Sequence, residues 1–171
     1  MTRAGGRLPR RAEAVRPARR IEALDEELHA NRNTLTTLIT QTPAAGLLDL
    51  LGIGPVTAAV VLAAWSHPGR IRSEAASANL AGVSPIPASS GNTVRHRLNH
   101  GGDRRLNRAL HMAIVTRIRM DPTTRAYVER RTTQSRTSKE TRRCLIGYLA
   151  RKLYRYLATA YKMPDPILDN T

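Results

Sequence analysis

Phenylalanine is absent from this chain, tryptophan occurs once and tyrosine five times, so aromatics supply only 4% of its 171 residues. Without aromatic bulk the core must come from Leu, Ile, Val and Ala, a palette that favours packed helices over sheets. Cysteine also occurs once, at Cys144. A single thiol cannot close an internal disulfide or complete a zinc set, and a reducing cytoplasm fits. Its apolar helical neighbours predict a small core residue. Long apolar runs are missing too. The longest, Val56 to Trp65, is too short to span a bilayer, and the arginine-rich residues 1–20 lack the apolar centre of a signal peptide. No membrane partner is expected. Acids are scarce: 13 Asp and Glu stand against 28 Lys and Arg, a net charge of +15. That excess points to a polyanion, nucleic acid ahead of a membrane surface. Arginine supplies most of it, and its planar fork suits bidentate phosphate contacts.

The length suits one domain plus appendages. Residues 1–20 carry seven arginines and one acid, Glu13, with two glycines and two prolines. They read as a disordered basic arm. From Ile21 the pattern changes. Ile21, Leu24, Leu28, Leu35 and Leu38 recur at heptad-like spacing, interrupted at Asn31, so residues 21–42 read as a coiled-coil-like helix. A strand of a dimer and a helix packed on its own domain both fit. Pro43 ends it.

Residues 44–161 read as an all-α domain. Leu47 to Trp65 predicts helix, tight turn, helix: LLDLL, then GIG, then PVTAAVVLAAW. Gly52 and Gly54 permit the turn, and Pro55 suits the first turn of the second helix. Free amides at such a helix start accept a phosphate without reading bases, although the same hairpin can serve packing alone. A short alanine-rich helix over Ser73–Ala81 should end at Gly82. Asp103 is placed to cap a helix through about Met120, with Leu106, Leu110, Ala113 and Ile114 inward. Asp121-Pro122 breaks it, a short helix follows over Ala126–Arg131, and a polar linker, TTQSRTSKE, leads to a last helix. There Ser138 is the candidate cap, and Leu145, Ile146, Leu149, Leu153 and Leu157 face inward. Tyr148, Tyr154 and Tyr156 are expected to pack at the core edge. Residues 162–171 are expected to be a flexible tail.

The candidate chemistry lies in Ser89 to Leu110, SSGNTVRHRLNHGGDRRLNRAL. A loop bearing two prolines exposes Ser89 and Ser90 beside Gly91, and five arginines follow. A serine hydroxyl can attack a phosphodiester if charge or a base assists it. Arg95, Arg97, Arg104, Arg105 and Arg108 can stabilise charge on a phosphoryl group. Arginines at a helix start oppose the helix dipole, so these look placed for a ligand anion. His96 and His100 are candidate acid/base partners. Their i, i+4 spacing resembles a metal pair, but no further ligand completes a set. On residue pattern alone the serine either reacts or merely shapes the loop. Residues 95–155 hold seventeen Lys or Arg against four acids, so the charge concentrates just after the serine pair.

The order of parts carries a resemblance: an acidic coiled-coil-like helix, GIGPVTAA, AGVSPIPASSGNTVRHR, GGDRRLNRAL and a final ARKLYRYL helix. Over about residues 21–160 the chain resembles the C-terminal transposase domain of the DEDD-type insertion-sequence recombinases. These form the family numbered one hundred and ten, with its relatives numbered one hundred and sixteen and nine hundred and two and the Piv-like invertases. The resemblance implies that Ser90 is the nucleophile for DNA strand exchange, with Ser89 as alternate. It implies DNA as partner, a structured guide RNA, homo-oligomers formed here through residues 21–40, and a bacterial, DNA-associated cytoplasmic protein. It also implies an N-terminal RNase-H-like domain whose four carboxylates bind a divalent metal such as Mg. Residues 1–20 cannot supply that domain, so no cofactor is expected in this chain. A truncated form is expected, with no complete recombination cycle from this polypeptide alone. Noncatalytic nucleic-acid binding and a dimerising remnant are the alternatives.

Overall fold

Leucine and alanine at helical spacing fold this chain into α-helices wherever turn residues do not intervene. The computed structural model describes residues 8–87, 96, 97, 99 and 101–162. Among these, α1 spans Leu8–Thr40, a 3-10 turn spans Ala45–Asp49, α2 spans Pro55–Trp65 and α3 spans Glu74–Leu80. Helices α4 (Arg104–Met120), α5 (Pro122–Thr133) and α6 (Ser138–Ala160) complete the domain. The fold is all-α as expected, with one small addition. Strands β1 (Ile86–Pro87) and β2 (His96–Arg97) pair antiparallel, Ile86 opposite Arg97 and Pro87 opposite His96. This pairing brings together the two ends of the segment that bears the serines. Ser89, Ser90, Gly91, Arg95 and His100 lie outside the described residues, as do residues 1–7 and 163–171.

The core joins α2, α3, α4 and α6. The predicted stripe of α4, Leu106, Leu110, Ala113 and Ile114, is wholly buried, as are Ile146, Leu149, Leu153 and Leu157 of α6. Trp65 closes one end against Tyr154 and Tyr161, at ring separations of 5.6 and 6.5 Å. Helix α6 packs along α3, α4 and α5, while α2 lies between α1 and α4. The buried Ser77 hydroxyl donates to the Ala150 carbonyl at 3.2 Å, tying α3 to α6 without an orphaned polar group.

Several elements differ from the sequence reading. Residues 8–20 continue α1 instead of forming an irregular arm. Arg, Ala, Glu and Leu are strong helix formers, and Pro17 removes one donor without ending the run. Within the predicted seam, Ile21, Leu24, Leu28 and Leu38 are exposed, and Ile39 enters the core in place of Leu38. The first arm of the hairpin is a single 3-10 turn, because LLDLL is too short to hold an α-helix before Gly52 turns the chain at φ 81°. Helix α5 begins at Pro122, four residues earlier than expected, because Asp121 caps it. Thr137, not Ser138, caps α6: its hydroxyl accepts from Glu140 N, and the Glu140 carboxylate accepts from Thr137 N at 3.0 Å. Cys144 is exposed, since it lies on the outer side of α6 away from Leu145 and Ile146. Tyr148 is exposed as well, whereas Tyr154 is buried and Tyr156 half-buried.

Asp121 serves two helices, ending α4 and capping α5 through bonds from Thr123 N and Thr124 N at 3.1 and 3.2 Å. The Thr124 hydroxyl, above all, holds its carboxyl below the usual carboxylate range, with help from those amides and Arg117. Glu140 is lowered in the same direction, chiefly by the Thr137 amide. A lowered folded-state pKa contributes stability above the unfolded value and loses it as pH falls through the folded one. Asp121→Ala should therefore melt below the wild type at pH 7, and the gap should narrow as pH falls toward 3. Melting curves across that range test it; a gap that stays constant or widens in acid refutes the assignment.

Candidate functional site

Two helix starts converge on one cavity. Asp103 caps α4, its Oδ1 accepting from Arg105 N at 2.7 Å and Leu106 N at 3.0 Å. The Thr137–Glu140 capping box starts α6. Between them lies a cavity of about 520 Å³. Helix α4 contributes Arg104, Asn107 and His111, spaced i, i+3, i+7 and so on one face. Helix α6 contributes Lys139, Arg142, Arg143 and Ile146, again one face. Gly82, Val83, Asn99 and Gly102 form the remaining wall.

That wall is fixed by short polar contacts. The Asn107 amide donates to the Ala81 carbonyl at 2.6 Å, and Asp103 N donates to the Leu80 carbonyl at 2.7 Å. The Asn99 side chain donates to the Asn79 carbonyl at 3.3 Å and accepts from Gly101 N at 2.9 Å. Gly82 takes a left-handed φ of 69°, and Gly102 lies directly against its backbone. The end of α3 and the start of α4 are thereby locked together, which sets where Arg104 stands.

The electrostatics are one-signed. Four cations, Arg104, Lys139, Arg142 and Arg143, line the cavity with an imidazole and no carboxylate. Among the described residues the ion pairs are Arg20–Glu27 and Arg155–Glu74, neither of them at the cavity. Arg104 and Lys139 sit in the first turns of their helices, where the dipole repels them, and Arg142 and Arg143 follow in the second turn of α6, so an anion between them relieves repulsion from both helices and among the four cations. A cavity of this size and charge accepts a phosphate group held by forked guanidinium bonds.

The structure sorts the sequence candidates. Arg104 lines the cavity. Arg105 and Arg108 are exposed but outside its lining, rotated around α4 from the face that carries Asn107 and His111. Arg97 is placed in register opposite Ile86 at the loop base. Gly52 and Gly54 belong to a different place, a shallow groove of about 440 Å³ formed by Leu48–Gly54 and Thr116. Gly52 packs on Ala113, which lies nine residues, about 13.5 Å along α4, beyond Arg104 and on the opposite side of the helix from the cavity-lining Arg104 and His111. There Arg117 Nε donates to the Leu51 carbonyl at 2.8 Å. Burial pushes the Arg117 guanidinium below its usual value, partly offset by Asp121. Gly54 is exposed with open space around it, leaving the start of α2 accessible.

Lys139, Arg142, Arg143 and His111 did not emerge from the sequence as site residues. The first three are about fifty residues from Ser90, and only the packing of α6 on α4 unites them with Arg104. The signal available was the one used for α4: cations crowded at a helix start.

Residues 44–129 match the family model described as Transposase IS116/IS110/IS902 family. Over 119 residues the chain is 28% identical to an insertion element IS110 uncharacterized 43.6 kDa protein of Streptomyces coelicolor, covering 68% of this chain and 29% of that protein. The chain thus spans under a third of that relative's length.

Proposed function

We propose, starting from the fact that this chain belongs to the IS116/IS110/IS902 family of transposases, that it is a DNA strand-exchange domain. In this reading the cavity between α4 and α6 holds a DNA phosphodiester and Ser90 attacks it. The observation that carries the reading is a cavity lined by four cations with no ion pair among the described residues, whose wall residues Val83 and Asn99 flank in sequence the strand pair on either side of the serines. Ser90 Oγ forms a bond to phosphorus, the bond from phosphorus to one strand's sugar oxygen breaks, and that strand leaves as a free hydroxyl. The serine proton must reach the leaving oxygen. His111 is the cavity's own imidazole and a fitting carrier. Arg104, Lys139, Arg142 and Arg143 stabilise the charge that builds on the phosphoryl oxygens, aided by Arg95 and Arg97 at the loop.

The accessible start of α2 at Gly52–Gly54 supports a second, sequence-independent phosphate contact of the helix-hairpin-helix kind. The exposed Ile21, Leu24 and Leu28 support homo-oligomers through residues 21–40. A structured guide RNA belongs to the same reading. Among the described residues no group of three His, Cys, Asp or Glu is arranged to hold a metal ion. No described helix is long and apolar enough to cross a membrane.

The triple variant Arg104→Ala, Lys139→Ala, Arg142→Ala tests the grip. All three side chains are exposed, so the fold should persist. Each lost phosphate contact weakens binding by roughly 1 kcal/mol, so the dissociation constant for duplex DNA should rise about 100-fold at low salt. The dependence of log K on log salt should flatten by about 0.9 for each phosphate contact removed. Unchanged affinity and slope would exclude the cavity as the DNA site.

A further inference from the structure

Tyr148 is in an unusual position for this chain. All six aromatic residues lie among the described residues, and five are buried or half-buried, yet Tyr148 is 57% exposed. It is not a stray surface residue. Tyr127 of α5 meets it edge to face, with ring centroids 6.3 Å apart at 89°. The Arg130 guanidinium carbon lies 5.4 Å from the Tyr127 ring centre. Arg131 follows on α5; one of its terminal nitrogens donates to Gln134 at 3.3 Å, while its buried Nε has no partner. Arg151 is exposed one turn beyond Tyr148 on α6. At 100° per residue, Tyr148 and Arg151 project from the side of α6 opposite Lys139, Arg142 and Ile146. The aromatic patch is therefore separate from the cavity.

Chemistry selects the occupant. Helices α5 and α6 carry nine Lys or Arg against two acids, Glu129 and Glu140, and Glu140 is engaged in its cap. Among the described residues no ion pair involves Arg130, Arg131 or Arg151. A strongly cationic face with a braced, half-bare ring offers phosphate contacts and a stacking surface together. Duplex DNA can use only the charges, because its base faces are already stacked. An acidic peptide would likewise leave the ring unused. A single strand can use both features: an unpaired base stacks on Tyr148 while the flanking phosphates meet Arg130, Arg131 and Arg151.

We propose that the Tyr127–Tyr148 patch of α5 and α6 is a binding site for single-stranded nucleic acid, in which an unpaired base stacks on Tyr148. This site stands independently of whether the cavity binds DNA. The test uses the full chain with a single-stranded DNA, the RNA of the same sequence and the matching duplex, each carrying one 2-aminopurine. Tyr148→Ala should weaken single-strand binding about tenfold and abolish the change in 2-aminopurine emission. Tyr148→Phe should bind within twofold of the wild type, and duplex affinity should stay within twofold for both variants. Arg130→Ala should weaken single-strand binding and flatten its salt dependence. A response with DNA, RNA or both supports the site, and their ratio identifies which strand it favours. The proposal is overturned if Tyr148→Ala leaves single-strand binding within twofold. It is also overturned if that variant weakens duplex and single strand equally, or selectively weakens binding of poly-glutamate.

Discussion

Exchanging Ser90 for Ala should abolish covalent capture of DNA, by at least about 10³-fold, while leaving the DNA dissociation constant within twofold. The two effects separate because the proposed grip and the proposed attack use different groups. The grip comes from Arg104, Lys139, Arg142 and Arg143, which line the cavity and are untouched by the substitution. The attack comes from one hydroxyl, and alanine offers no atom to replace it. A suitable substrate is a duplex with a bridging phosphorothiolate at one linkage. Serine attack there releases a thiolate, which leaves without needing a proton, and the protein–DNA ester accumulates. The wild type should give a protein band carrying DNA on a denaturing gel, Ser90→Ala should give none, and Ser89→Ala should retain it. An equal band from Ser90→Ala would reject the nucleophile, and loss only in Ser89→Ala would move the role to its neighbour. If the wild type itself gives no adduct with this activated linkage, the catalytic reading fails, and the cavity is left with a binding role. The cavity variant adds a cross-check, since Arg104→Ala with Lys139→Ala and Arg142→Ala should lower adduct yield in step with affinity at subsaturating DNA.

The helices were legible in the sequence because their signals are local. Asp103 announced the start of α4, and Leu106, Leu110, Ala113 and Ile114 repeat at the spacing that a buried stripe requires. Where a signal involves competing neighbours, the reading shifted. Thr137 and Ser138 are adjacent hydroxyls. Only the reach of Glu140 back to the Thr137 amide selects the first, a choice the pattern T-x-x-E could have made. The apolar neighbours Leu145 and Ile146 suggest an inward Cys144, but one residue turns a helix by about 100°, enough to leave it on the outside. The site was half legible for a different reason. Arg104 lies near the serine loop in sequence, whereas Lys139, Arg142 and Arg143 reach it only through the packing of α6 on α4. The aromatic patch had the same obstacle, since Tyr127 and Tyr148 meet only because α5 folds back against α6.

Gly102→Ala should lower stability by about 3 kcal/mol and the melting temperature by roughly 10 °C, although it adds a single methyl group. A Cβ at this position would stand 2.6 Å from both Cα and N of Gly82 and 2.8 Å from the Leu80 carbonyl oxygen. All three are backbone atoms, so no side chain can swing aside to relieve the clash. The segments themselves must separate, and doing so strains the 2.7 Å bond from Asp103 N to that same Leu80 carbonyl. Breaking a backbone bond of this kind costs about 1 kcal/mol in addition to the overpacking. Gly82 is held at φ 69° in the turn that ends α3, its N donating to the Asn79 carbonyl at 2.9 Å, so moving it aside strains that bond as well. Gly101→Ala is the control. The added Cβ there meets only Asn99 Oδ1 at 3.4 Å, an exposed side-chain atom, so the stability change should stay below about 0.5 kcal/mol. The consequence reaches the site, since Gly82 and Gly102 form the wall that fixes the start of α4 relative to α3. Even below its melting temperature, Gly102→Ala should bind DNA more weakly than Gly101→Ala, because Arg104 no longer stands where Lys139 and Arg142 share its anion. Paired melting and DNA-binding curves decide the matter. A Gly102→Ala protein that melts within 2 °C of the wild type would show that the two glycines do not meet, and would remove the reason for placing Arg104 in the cavity.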